Sequence, residues 1–260
     1  MVEAFFSRGW CVLPFDARVK TWGEAAWRAG REAMQAPSMR QWWVCENTWF
    51  VGVDALPNDE TGSINNVPFG GAPVTAIKAL YGSWPDLHKA QLSVVSPGYP
   101  RPREDESEAA FGYRLRRDAA HVDGLKRGPN GERFLEEPHA WIMGLPLTAN
   151  EPDQGPLVVW DGSHEIMRNA FAAALGDVPP EKWSVTDIRQ PYQQARRAVF
   201  EQCQRICVQA KPGETILVHR LLLHGVGPWA DTYESAQEHR AIAYFRPELN
   251  SVGNDWLKLR

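Results

Sequence analysis

The chain has 260 residues, 43% of them hydrophobic and 23% charged, with a formal charge of −4. That length supports one large domain with a sizeable core, and the slight acidic balance leaves no basic footprint for nucleic acid. Residues 1–15 include Glu3 and Arg8 and lack the apolar run of a signal peptide, and no segment approaches the roughly 18 apolar residues of a membrane helix, so a cytoplasmic location is expected.

From the N-terminus, Phe6 to Leu13 reads as a short strand around Gly9. Thr21 with Glu24 three residues on reads as a capping box, and Trp22, Ala26, Ala29 and Ala33 give the helix that follows one apolar face. Pro73 opens a second helix carrying Ile77 and Leu80 inward. Gln91-Leu92-Ser93-Val94 alternates as a half-buried strand should, and Pro97-Gly98-Tyr99-Pro100 ends it. The acidic stretch from Arg101 to Ala110 reads as a mobile loop, long enough for a lid, and Tyr113 to Ala119 as another alternating strand.

Strands are expected over Ala140–Leu147 and Gly155–Trp160, then helices over Glu165–Leu175 and Tyr192–Gln202. Ile206–Ala210 and Thr215–Val218 read as strands joined by a Lys211-Pro212-Gly213-Glu214 hairpin turn, and Ala241–Phe245 as a last strand. Cys11, Cys45, Cys203 and Cys207 lack zinc-ribbon or C-x-x-C spacing and are read as reduced. The pattern predicts a single domain: a mixed helical part over 1–88, then a mainly β core over 89–250, a sandwich or barrel with an N-terminal helical buttress.

His121-Val122-Asp123 stands at the end of a predicted strand. Residues i and i+2 share a strand face, so both side chains can reach one ion, and two imidazoles with one carboxylate suit ferrous iron that activates dioxygen. Alone, the triplet equally fits a surface turn in which Asp123 caps its own loop. The third ligand is sought in Leu223-His224-Gly225-Val226-Gly227-Pro228; His219 is a rival, but five residues of regular strand would put it on the opposite face. Arg240 offers a planar fork for a carboxylate, or else a surface pair with Glu238.

Taken together, His121-Val122-Asp123, Gly155 to His164, His224-Gly225-x-Gly227-Pro228 and Arg240, in this order over roughly residues 90 to 246, resemble the phytanoyl-CoA dioxygenase family of iron(II)/2-oxoglutarate oxygenases. The resemblance implies a double-stranded β-helix, or jelly roll, with iron held at its mouth by His121, Asp123 and His224. It also implies 2-oxoglutarate as co-substrate, with Arg240 on its distal carboxylate, and hydroxylation of a small molecule at an unactivated C–H bond. Two positions depart from the family: Val226 stands where many members have serine, and Ser96 where some have lysine. Gln91 or Ser93 is expected to supply replacement contacts.

Arg114, Arg116, Arg117, Lys126 and Arg127 surround the His-x-Asp pair. Such a run is more often a solvated face than a site for an anionic substrate. Tyr113, Trp141 and Trp229 are candidates to line the pocket. Two other classes compete: a jelly roll that binds a ligand or metal without turnover, and a cupin-type metal enzyme that needs no co-substrate. Oligomeric state is left open.

Overall fold

The computed structural model describes residues 2–230, 238–249 and 254–259. In chain order its elements are α1 (Val2–Arg8), β1 (Trp10–Leu13), α2 (Ala17–Gln35), β2 (Trp43–Val44), β3 (Trp49–Gly52), α3 (Ala72–Tyr81), β4 (Gln91–Val95), α4 (Glu108–Arg116), β5 (Leu125–Arg127), β6 (Arg133–Leu135) and β7 (Trp141–Pro146). There follow β8 (Leu157–Trp160), α5 (Ser163–Leu175), α6 (Arg189–Gln202), β9 (Arg205–Val208), β10 (Thr215–His219), β11 (His224–Val226), β12 (Arg240–Phe245) and α7 (Asn254–Lys258).

A seven-stranded sheet in the order β1-β10-β7-β12-β4-β3-β2 faces a three-stranded sheet, β11-β8-β9, and every pairing in both is antiparallel. Strand alternation explains the layering. Ile142, Ile216, Val218 and Ile242 point inward from the large sheet to meet Leu157, Val159 and Val208 of the small one. Each such side chain, fully buried, contributes roughly 1.5–3 kcal/mol. The other face of the large sheet, with Met143, Leu145, Leu217, Ala243 and Phe245, packs under α2 and α3 through Val19, Trp22, Ala26 and Ile77. Val158 and Trp160 turn away from the interior onto Met167, Phe171, Ala195 and Val199 of α5 and α6. The expected jelly roll with flanking helices is the fold observed.

Several local expectations are corrected. Residues before Gly9 form α1, so only Trp10–Leu13 of the first expected strand is extended. The following helix starts four residues ahead of Thr21: the Asp16 side chain accepts from Arg18 N at 2.8 Å, while Thr21 Oγ1 bonds the Ala17 carbonyl inside the helix and Glu24 pairs with Lys20. Tyr113 to Arg116 is helical, not extended, because Ser107 caps α4 by accepting from Ala110 N. This helix also takes up the end of the Arg101–Ala110 segment. Finally, β9 and β10 are not a hairpin. Lys211–Glu214 carries the chain from the small sheet to the large one, where β10 pairs with β1 and β7.

Asp16 does double duty, since its second oxygen accepts from Ala72 N at 2.8 Å at the start of α3. These two backbone bonds hold its carboxyl below the usual carboxylate range. Asp16→Ala is expected to cost about 2 kcal/mol in urea unfolding, because one substitution uncaps two helices. All four cysteines are free, as expected. Among the described residues, no helix is long and apolar enough to cross a membrane.

Candidate metal centre

Backbone pairing brings the two outer histidines together. His121 and His224 form an antiparallel bridge, with His121 N donating to His224 O at 2.8 Å and the reverse bond at 3.0 Å. Their rings stand side by side, 4.7 Å between centroids. Asp123, two residues on, reaches the same point. Its Oδ1 lies 3.1 Å from His121 Nε2 and 3.7 Å from His224 Nε2. One potential donor atom from each of the three residues lies within 4.8 Å of the others.

The far side of each ring is also fixed. Nδ1 of His121 lies 2.9 Å from the Ala119 carbonyl, and Nδ1 of His224 lies 2.9 Å from the Leu222 carbonyl. A carbonyl only accepts, so each Nδ1 carries a proton, which leaves Nε2 as the ring atom that would offer its lone pair to a metal at the shared point. Two nitrogens and one carboxylate oxygen, converging with their tautomers set, fit a divalent transition metal with open positions.

Local sequence explains the placement. Asp118 and Ala119 both adopt left-handed φ, 49° and 53°, which turns the Ala119 carbonyl back to His121. Such a conformation costs of order 1–3 kcal/mol at a non-glycine residue. Arg205 of β9 holds it in place with two 2.7 Å bonds to the Asp118 carboxylate. Gly124, at φ 81°, ends the triplet; a Cβ there would collide with the Glu137 carbonyl oxygen. On the other side, Leu221, Leu222 and Leu223 are fully buried and Leu223 N donates to Ser163 Oγ, which anchors the entry to His224.

Arg246 was not foreseen. Its Nη1 lies 3.2 Å from Asp123 Oδ2. Burial would raise the Asp123 pKa, but Arg246, His224 and His121 overcome it and hold the carboxyl well below its usual range. The available signal was register: Arg240, Ile242, Tyr244 and Arg246 lie two apart along one strand direction, and Ile242 already faces the interior.

A cavity of about 60 Å³ opens on the triad, and Gln91, Ser93, Trp49, Leu157, Val226, Tyr244 and Arg246 all border it. Thus Gln91 and Ser93 do face the site. Their alternation with Leu92 and Val94 has a different meaning from the one expected: both faces of β4 are covered, and the polar one is the pocket wall. Ser93 Oγ is engaged by Trp49 Nε1 at 3.1 Å. Arg240 borders an adjoining cavity that shares Leu157 with the first. It is 4% exposed, and its Nη1 and Nη2 have no hydrogen-bond partner among the described residues. The expected alternative, a surface pair, does not describe it.

His219 ends β10 in the large sheet and packs against His164, 4.9 Å between ring centroids, away from the triad. It is excluded by a change of sheet rather than by strand parity. Of the three aromatic candidates, Trp141 faces the helices against Trp84, and Trp229 packs behind Trp49 and Val226. Tyr113 borders a wider opening outside His121.

No family model matches the sequence, and no curated protein is significantly similar to it. Solved structures do share its fold. The non-haem α-ketoglutarate-dependent carbocyclase SnoK, of nogalamycin biosynthesis, is 13% identical, with 94% of this chain and 82% of that one aligned at a TM-score of 0.50. The epimerase SnoN of the same biosynthesis is 13% identical over 94% and 80%, also at 0.50. EvdMO1 is 15% identical at 0.53, covering 96% of this chain and 49% of that one. At these identities the likeness establishes the architecture alone.

Proposed function

We propose that this chain is an iron(II)- and 2-oxoglutarate-dependent dioxygenase that hydroxylates a small molecule at an unactivated C–H bond. The observation that carries the reading is the donor set: His121 and His224 with both Nδ1 atoms committed to carbonyls, and Asp123 Oδ1 between their Nε2 atoms. These three residues would hold the iron. Arg240, a buried guanidinium on the interior face of β12 whose Nη1 and Nη2 have no partner among the described residues, fits the distal carboxylate of 2-oxoglutarate. Its charge also acts on the Tyr244 hydroxyl, whose pKa burial raises and Arg240 partly offsets. Tyr244 borders the triad cavity, which supports a role for Arg240 at this site.

Bound there, iron with 2-oxoglutarate and dioxygen would supply the chemistry that turns a C–H bond into an alcohol, with succinate and carbon dioxide as co-products. The protein's own share is positioning and dryness. Trp49, Leu157 and Val226 wall the pocket with apolar surface, Gln91 offers an amide from β4, and Arg246 fixes one oxygen of Asp123, so that the other would be left for the metal. Where the resembling family has serine, Val226 offers no hydroxyl, so more of the carboxylate's recognition falls to Arg240.

Anaerobic titration with ferrous iron and then 2-oxoglutarate tests the reading. A visible charge-transfer band on addition of 2-oxoglutarate is expected. Iron binding without the band would instead indicate a cupin-type centre, and failure to bind iron a module without turnover.

A further inference from the structure

Outside His121 the surface opens into a vestibule of about 510 Å³, which shares His121 and Trp49 with the metal pocket. Its lining is dominated by one chemistry. Arg103, Arg114, Arg117, Arg127, Arg133 and Arg196 all border it, against a single carboxylate, Glu106. Glu106 is already bound by Arg114 through Nε at 2.9 Å and Nη2 at 2.7 Å, and the buried Arg114 Nη1 has no partner among the described residues.

The arginines come from four separate parts of the chain: the segment before α4, α4 with the turn after it, the β5–β6 hairpin, and α6. Apart from Arg114 on Glu106, those with a partner side chain lie against aromatic rings rather than acids. Arg117 lies 4.3 Å from the centre of the Phe200 ring, and Arg103 lies 5.8 Å from that of Trp49. Arg196 donates through Nη2 to the Ala120 carbonyl at 2.9 Å, while its buried Nε has no partner among the described residues. Arg133 is pushed below the usual guanidinium range by its burial and by the charges of Arg127, Arg196 and Arg189. So many like charges around one opening repel one another, and an anion relieves this.

We propose that the vestibule binds the phosphoryl head of a small phosphate ester, whose organic part runs past Trp49 to the metal centre. This rests on the oxygenase reading for what happens to the ester, but not for its binding. One carboxylate suits one guanidinium fork. A phosphate presents three oxygens and close to two negative charges, which matches guanidinium groups on several sides of one space. Val51 and Tyr113 add apolar wall, so a bare inorganic ion would leave part of the vestibule unused.

The test is calorimetric titration of the whole protein with phenyl phosphate, inorganic phosphate and benzoate at constant ionic strength. Phenyl phosphate is expected to bind best, at least about tenfold more tightly than benzoate. Arg133→Gln and Arg127→Gln are each expected to weaken it about tenfold, as loss of one charge-assisted bond does. Arg127 is exposed at the end of β5, so its variant reports even if Arg133→Gln folds poorly. Arg28→Gln, on the exposed face of α2, should change affinity by less than about twofold.

Equal affinity for benzoate, or an equal loss in Arg28→Gln, would overturn the proposal. So would displacement of phenyl phosphate by 2-oxoglutarate, which would place the ester at Arg240 instead. Phosphate-ester binding in a protein that forms no complex with iron and 2-oxoglutarate would support the vestibule and overturn the oxygenase reading. An iron–2-oxoglutarate complex in a protein indifferent to phenyl phosphate would do the reverse.

Discussion

Asp123→Ala is expected to abolish ferrous binding at micromolar iron, a loss of about 100-fold or more, and with it all iron-dependent consumption of 2-oxoglutarate. Two imidazoles remain, but they supply no negative charge and leave one face position open. Stability should fall as well. Asp123 is the counter-ion of Arg246, and both side chains are largely buried at 12% and 18% exposure. Removing one member leaves a charge without its partner, at a cost of about 3 kcal/mol in the metal-free protein. Equilibrium dialysis with ferrous iron and a urea melt read the two effects separately. Wild-type iron affinity in Asp123→Ala would remove the carboxylate from the ligand set. An unchanged melt would mean that solvent, not Asp123, balances Arg246.

Arg240→Met separates function from stability in the opposite sense. The dissociation constant for 2-oxoglutarate is expected to rise about 100-fold, the usual cost of truncating one side of a buried charged pair. The metal-free, ligand-free protein should be no less stable than wild type, because a buried guanidinium whose Nη1 and Nη2 have no partner among the described residues is replaced by an apolar chain of similar length. Arg240→Lys should recover only part of the affinity, since a single ammonium cannot copy the fork. Titrations monitored by the charge-transfer band give the first quantity and thermal melts the second. Unchanged 2-oxoglutarate affinity in Arg240→Met would put the co-substrate elsewhere.

Much of this site could be read from residue order. The His-x-Asp triplet, the glycine-flanked His224 and Arg240 are local patterns; strand pairing carries His224 and Arg240 to one interior, while the triplet, expected at a strand end, arrives there through the turn after α4 and its bridge to His224. Arg246 escaped because its role depends on counting along β12 past the end of the apolar run. The Arg114–Arg117 stretch was misread as strand because Tyr113-Arg114-Leu115-Arg116 alternates in sequence. The competing signal, Ser107 followed by Glu108, Ala109 and Ala110, is a helix start, and the side-chain cap decided the outcome.

The vestibule illustrates a different limit. Arg114, Arg117 and Arg127 cluster in sequence near the triplet and also in space, while Arg116 is exposed elsewhere and Lys126 pairs with Glu136 at 2.6 Å. What turns a basic run into a lined opening is Arg133 and Arg196, and Arg196 lies on a helix about 70 residues further along. Charge patterning along a chain cannot show convergence of that kind, because it depends on how α6 packs beside the turn that carries His121. The sheet change between β9 and β10 was hidden for a related reason. A tight turn looks the same whether its strands pair with each other or with strands of opposite sheets.

The bridge between His121 and His224 bears on how the centre is loaded. Because the ladder sets the spacing of the two rings and each Nδ1 is already tethered, an incoming metal would meet the three donors already convergent among the described residues. The rise in melting temperature with added metal should therefore follow mass action at the folded protein alone. Amide exchange in β8 and β11 should slow only in proportion to that global gain. In kinetic terms, uptake is a matter of dehydrating the ion and of its passage through a vestibule of positive sign, so loading should quicken as ionic strength rises.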